Sequence, residues 1–174
     1  MKKTFSLILL VFLSLAGFAQ KEHLPFQGIP IGGDIVSFSQ QLSAQGWQYS
    51  EHLTEESRRQ CSVFSGRYAG MEAALVALHR SETKTVYQLM LMIHVGSKAA
   101  LDAQLSQLQD SLLQEHKHST CTTSTDEVGN PATTIQVFGP DQKTLLGSIT
   151  LLEHLEGKEC ILIISYDDAA NTNK

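Results

Sequence analysis

Between Val86 and Val95 the chain alternates without a break. Tyr87, Leu89, Leu91, Ile93 and Val95 fall on one side of an extended segment, and Val86, Gln88, Met90, Met92 and His94 on the other. A sustained period of two fits a strand and not a helix, because successive side chains of an extended chain point to opposite faces. The first row is wholly apolar and has to be covered. The second is mixed, so the strand belongs to a sheet with one core face and one face only partly dry, as antiparallel sheets have. Gln88, Met90, Met92 and His94 are therefore the candidate binding surface, since methionine adapts to apolar partners. The more usual outcome for such a row is a second, smaller packed face, lying under an extended segment such as Phe26 to Ile31.

The same period marks further strands over 47–49, 61–68, 71–80, 118–125, 133–138, 145–155 and 160–166. Gly70, Gly129-Asn130-Pro131 and Gly139-Pro140-Asp141 punctuate them as turns. Two segments switch to helical spacing. In the first, Asp34 is the expected N-cap, Ile35, Phe38 and Leu42 share one face, and Gly46 stops the helix. In the second, Ser97 is the cap and Leu101, Leu105, Leu108 and Leu112 form the apolar stripe. Glu51 to Gln60 reads as a charged connection. The tail from Asp167 to Lys174 reads as frayed, with Asp167-Asp168 a solvated strand end.

The order is thus helix, four strands, helix, four strands, without the strand-helix-strand alternation of parallel sheets. It predicts an α+β fold of two helix-plus-four-strand pseudo-repeats, over about 24–96 and 97–167, forming an antiparallel sheet with both helices packed on one face.

The ends bound the address. Lys2 and Lys3 precede an apolar run from Phe5 to Phe18, and Gly17 and Ala19 suit a signal peptidase cutting after Ala19. Residues 1–19 read as a secretory signal peptide, which leaves 20–174 as a single domain in the periplasm or outside the cell, with no membrane span once the signal is removed. Thirteen basic side chains face 18 acidic ones for a formal charge of −5, and loss of Lys2 and Lys3 makes the mature form more acidic still. Nucleic acid and anionic membrane surfaces are poor partners for such a chain. Cys61, Cys121 and Cys160 would meet an oxidising compartment, where one disulfide is possible, but three small buried hydrophobes in strands is an equal reading.

Several stretches look alike to a known group of proteins. Phe26 through Gly28-Ile29-Pro30-Ile31 and Gly33 to Phe38, Leu42, Gly46 and Trp47 resembles a GIPI-glycine-helix motif of small, uncharacterised secreted proteins of Gram-negative bacteria. Phe64-Ser65-Gly66-Arg67-Tyr68-Ala69-Gly70 resembles that group's F-x-G-x-[FY]-A-G strand. Cys160 to Asp168 with Asn171 resembles its closing C-x-x-x-x-x-Y-x-D pattern. Ala73 and Ala74 stand where the group would carry a cysteine, which removes a family disulfide. The layout is similar to β-lactamase-inhibitor-protein and PepSY-like exported domains, which implies protein binding and no particular activity.

Catalytic signatures such as GxSxG, HExxH, CxxC and GxxxxGK[ST] do not occur. No cofactor is expected, and the chain is read as a non-enzymatic interaction domain whose partner is a protein or peptide of the cell envelope. The alternative is a periplasmic metal- or small-ligand-binding protein using histidines. His116 and His118 would project to one side of a strand and hold Zn²⁺ or Cu²⁺ with a third ligand, although the end of a helix would equally favour a protonated histidine there.

Overall fold

The computed structural model describes residues 22–56, 60–125, 129–156 and 159–172. The proposed signal peptide lies outside them. A short hairpin comes first, β1 (Pro25–Phe26) and β2 (Ile29–Pro30), followed by helix α1 (Ile35–Ala44). Then come β3 (Gln48–Tyr49), α2 (Glu51–Glu56), β4 (Cys61–Tyr68), β5 (Met71–His79) and β6 (Val86–Val95). Helix α3 (Lys98–Glu115) leads to β7 (Ser119–Thr125), β8 (Pro131–Phe138), β9 (Leu145–Glu156), β10 (Glu159–Asp168) and α4 (Ala169–Thr172).

The fold is mostly β, which corrects the expected α+β class. Among the described residues strand makes up 51% and helix 26%, in one eight-stranded antiparallel sheet and one two-stranded sheet, and only two of the four described helices reach seven residues. Two equal helix-plus-four-strand repeats are not formed. Two helical segments, however strong their local period, are not the equals of two sets of strands. In the folded chain the strands of 7 to 12 residues in β4 to β10 carry the architecture. The hairpin β1–β2 and the helices α2 and α4 fall outside any repeat, Glu51 to Glu56 being helical where a connection was expected.

Strand order in the large sheet is β3-β4-β5-β6-β10-β9-β8-β7. Neighbours in sequence pair as meanders, and the one non-local seam joins β6 to β10, with Ile163 opposite Met92 and Ser165 opposite Met90. On one face of the sheet Phe64, Leu75, Leu89, Leu91, Ile93, Ile149, Leu151, Leu162 and Ile164 are buried in a single core cluster. Ile35, Phe38 and Leu42 of α1, Leu101, Leu108 and Leu112 of α3, and Leu24, Phe26, Ile29 and Ile31 of the N-terminal segment belong to the same cluster. That face is sealed.

Local chemistry explains how the lid elements are set. Asp34 Oδ1 accepts from Val36 N and Ser37 N at 3.0 and 3.1 Å, satisfying amides that the first turn of α1 leaves without partners. Gly46, at φ 93°, reverses the chain after α1 so that Gly46 N and Trp47 N return to the carbonyls of Ser43 and Leu42. The turn delivers Trp47 onto Gly66 of β4. A Cβ at Gly66 would lie 2.5 Å from the indole, so that only glycine leaves room for it.

Candidate functional site

β-Pairing assigns the other face row by row. Gln48, Ser65, Ala74, Met92, Ile163, Leu152 and Ala132 are successive cross-strand neighbours. The adjacent row runs Val63, Val76, Met90, Ser165, Thr150 and Thr134, and the next contains Leu78, Gln88, Asp167 and Ser148. Ala74, Val76, Met90, Met92, Ile161, Ile163 and Leu152 are all half-buried by their neighbours. Helices α1 and α3 bury their apolar residues in the cluster on the opposite face, whereas α2 packs beside β4, where Thr54 Oγ1 accepts from Val63 N at 2.9 Å and Val63 is buried. Half of this sheet surface is an apolar track, and the other half is polar.

Phe26 to Ile31 does not cover the track, contrary to the packing expected from the sequence. Phe26 stacks on Tyr68 at 5.9 Å and meets Tyr166 edge-on at 5.3 Å, both rings on the sealed side. The physical reason is a latch that sequence reading missed. Asp168, at 0% exposure, accepts from Leu24 N at 3.0 Å and lies 2.9 Å from His23 Nδ1. The expected solvated strand end is thus a buried anchor for Asp168, and the tail continues as α4 with Asn171 buried.

Gln88, Met90, Met92 and His94 sit together along β6 on the uncovered face, the first three half-buried and His94 exposed. Met92 and His94 line a hollow of about 610 Å³ with Ser65, Arg67, Glu72 and Ala74, where small side chains lower the floor between taller ones. Gln88 has partners that the sequence did not suggest. Its Nε2 donates to Asp167 Oδ1 at 2.7 Å and to Ser165 Oγ at 3.2 Å, while Ser165 Oγ donates to Asp167 Oδ2 at 3.0 Å. Burial raises the Asp167 pKa above the ordinary carboxylate range, partly opposed by these two donors. Ile161, Ile163, Ser165 and Asp167 were missed because the β6–β10 seam is non-local. The available signal was the alternation within β10, where the row opposite Leu162, Ile164 and Tyr166 is half apolar and half polar.

His116 and His118 are not brought together on a strand. His116 caps the C-terminus of α3 and is buried, with Nε2 lacking a hydrogen-bond partner, whereas His118 is exposed ahead of β7. Burial lowers the His116 pKa, the reverse of the protonated helix-end histidine expected. Among the described residues, no group of three or more His, Cys, Asp or Glu side chains is arranged to hold a metal ion. No disulfide joins Cys61, Cys121 and Cys160; the first and last are buried in strands, and Cys121 is exposed on the edge strand β7, unlike the buried hydrophobe expected.

Among the described residues, no helix is long and apolar enough to cross a membrane. Comparison with protein-family models gives no match, and comparison with curated proteins gives none either. The resemblance to the secreted GIPI-motif proteins therefore rests on the motif residues alone.

Proposed function

We propose that the chain is an exported, non-enzymatic interaction domain of the periplasm or cell exterior, which binds a protein or peptide of the cell envelope on the uncovered face of its sheet. One observation carries the reading. The sheet is sealed on one side by α1, α3 and the N-terminal segment, while on the other side Val76, Met90, Met92, Ile161, Ile163 and Leu152 form an apolar track that lies outside the core cluster those elements close over. A contiguous apolar surface rimmed by polar groups is the usual mark of an interaction site, and methionine suits a surface that has to adapt. The export address rests on residues 1–19.

The test is affinity capture from envelope extract with the mature protein against a Met90→Glu, Met92→Glu double variant, compared by quantitative mass spectrometry. Circular dichroism should show both folded, because the substituted side chains point away from the core. Partners held by the wild type should be lost from the variant, and an unchanged set of partners would exclude this face.

A further inference from the structure

The polar half of the uncovered face adds a charge to the apolar track. Asp167 presents a half-buried carboxylate whose two oxygens each accept one hydrogen bond, from Gln88 and from Ser165. A carboxylate has about four acceptor positions, so each oxygen retains capacity. Among the described residues no basic side chain pairs with Asp167. Its cross-strand neighbours on β6 and β9, Gln88 and Ser148, are neutral. A half-desolvated anion held by neutral donors on a binding surface is best completed by a cation from the partner.

The spacing defines what kind of segment brings that cation. Along β10, Ile161, Ile163, Ser165 and Asp167 repeat every two residues, about 6.6–6.8 Å apart. Residues four apart on a helix advance about 6 Å, so a helix laid along the seam sets an apolar residue beside each step of the track. Asp167 lies four residues beyond Ile163, about 13 Å along the strand, which is between two and three helical turns. On the sealed face, α3 already lies over β6, β10 and β9, the same central strands. The uncovered face offers a second seat of that kind, with a carboxylate at one end.

Resting on the reading that this face is the binding site, we propose that its partner is a basic amphipathic helix, with apolar residues on Met90, Met92, Ile161 and Ile163 and a lysine or arginine on Asp167. The net charge of −5 favours approach of such a segment.

A phage-displayed library of random 16-residue peptides, panned on the mature protein, tests both layers. Enriched peptides should carry Lys or Arg beside apolar residues at helical spacing. Synthesised and measured by fluorescence anisotropy, they should lose at least tenfold in affinity to Asp167→Asn and to Met92→Glu. Asp167→Lys should instead prefer the same peptides with their basic residue changed to Glu. Binders that lose affinity to Met92→Glu but carry no basic residue, or ignore Asp167→Asn, overturn the cationic partner and leave the face as the site. Binders indifferent to Met92→Glu, or no enrichment at all, overturn both.

Discussion

Asp168→Ala is the sharpest perturbation of the scaffold that keeps the uncovered face exposed. The carboxylate is inaccessible and takes a hydrogen bond from the backbone of Leu24, itself fully buried, while its second oxygen meets His23 Nδ1. Alanine leaves the Leu24 N–H buried without an acceptor, which costs about 1–3 kcal/mol, and removes a bond to a charged group worth about 1.5–3 kcal/mol. Together the loss is about 2.5–6 kcal/mol, a large share of the roughly 5–15 kcal/mol available to a domain. The melting midpoint should fall by on the order of 10 °C. Asp168→Asn keeps one acceptor for Leu24 and should lose less. The single tryptophan reports where the structure opens, because Gln27 Oε1 accepts from Trp47 Nε1 at 3.1 Å and Phe26 lies 6.1 Å from the indole. Urea unfolding followed by Trp47 emission should show a lower midpoint and, at low urea, a red shift as the hairpin leaves the ring. A variant within about 1 kcal/mol of wild type, with unchanged emission, would show that Asp168 does not hold the N-terminal segment.

Gly66→Ala should cost about 1–3 kcal/mol because its methyl meets the Trp47 ring, and the loss should shrink in a Trp47→Leu background; equal losses in both backgrounds argue against the clash. Tyr166→Phe removes the 2.7 Å partner of the buried Tyr68 hydroxyl and should cost about 1–3 kcal/mol, with the Tyr68→Phe, Tyr166→Phe double variant losing less than the two singles combined. Burial raises both phenol pKa values, so their contribution to stability is complete below the unfolded value of about 10 and declines as pH rises past it. Alkaline unfolding of the wild type followed by phenolate absorbance should show this, and the double variant should lose that dependence. For His116 the sign is opposite: a pKa lowered by burial favours the fold above about 6.5 and destabilises it as pH falls through that value. Urea midpoints at about pH 7 and pH 5 should differ less in His116→Gln than in wild type, and identical differences would refute the assignment.

Local instructions were readable and non-local ones were not. Asp34, Gly46 and Ser97 name their caps because a helix end is satisfied by residues within a few positions. The alternation from Gln88 to Val95 gives both the core row and the uncovered row, since pleating depends only on the chain itself. At the start of the strand the expected rows fail: the register shifts opposite Leu78 and His79, Val86 is buried in the core cluster, and Tyr87 lies outside it with Arg80 over its ring. Pairing β6 with β10, however, brings together residues more than seventy positions apart, such as Gln88 and Ser165. No period carries that information. The same gap hid Asp168, whose partners His23 and Leu24 lie at the other end of the described chain. A polar tail looked solvated because its two acidic residues were weighed alone. One of them is buried against the N-terminal segment and the other is turned onto the uncovered face. The error in fold class has the same origin: helical periods are strong local signals, so two helices were given the weight of an architecture that the strands determine.

The structure also separates two kinds of residue. Phe26, Gly66, Tyr68, Tyr166 and Asp168 carry the family-like motifs, and all of them face the sealed side, where rings 5.3 to 5.9 Å apart and a ring against a glycine leave little choice of side chain. Interiors packed to that density punish a change of one methyl group, so motif-like identity is what a demanding core produces. Gln88, Met90, Met92, Ile163 and Asp167 lie on the uncovered face and form no motif. A solvent-facing row has only to remain a strand, and the core places no demand on its chemistry. Substitutions on the two faces should therefore divide cleanly: those on the sealed side act through stability, and those on the uncovered side act through binding. The glutamate variants at Met90 and Met92 are informative for this reason, because a loss of binding in them cannot be traced to a loss of fold once their unfolding midpoints match the wild type.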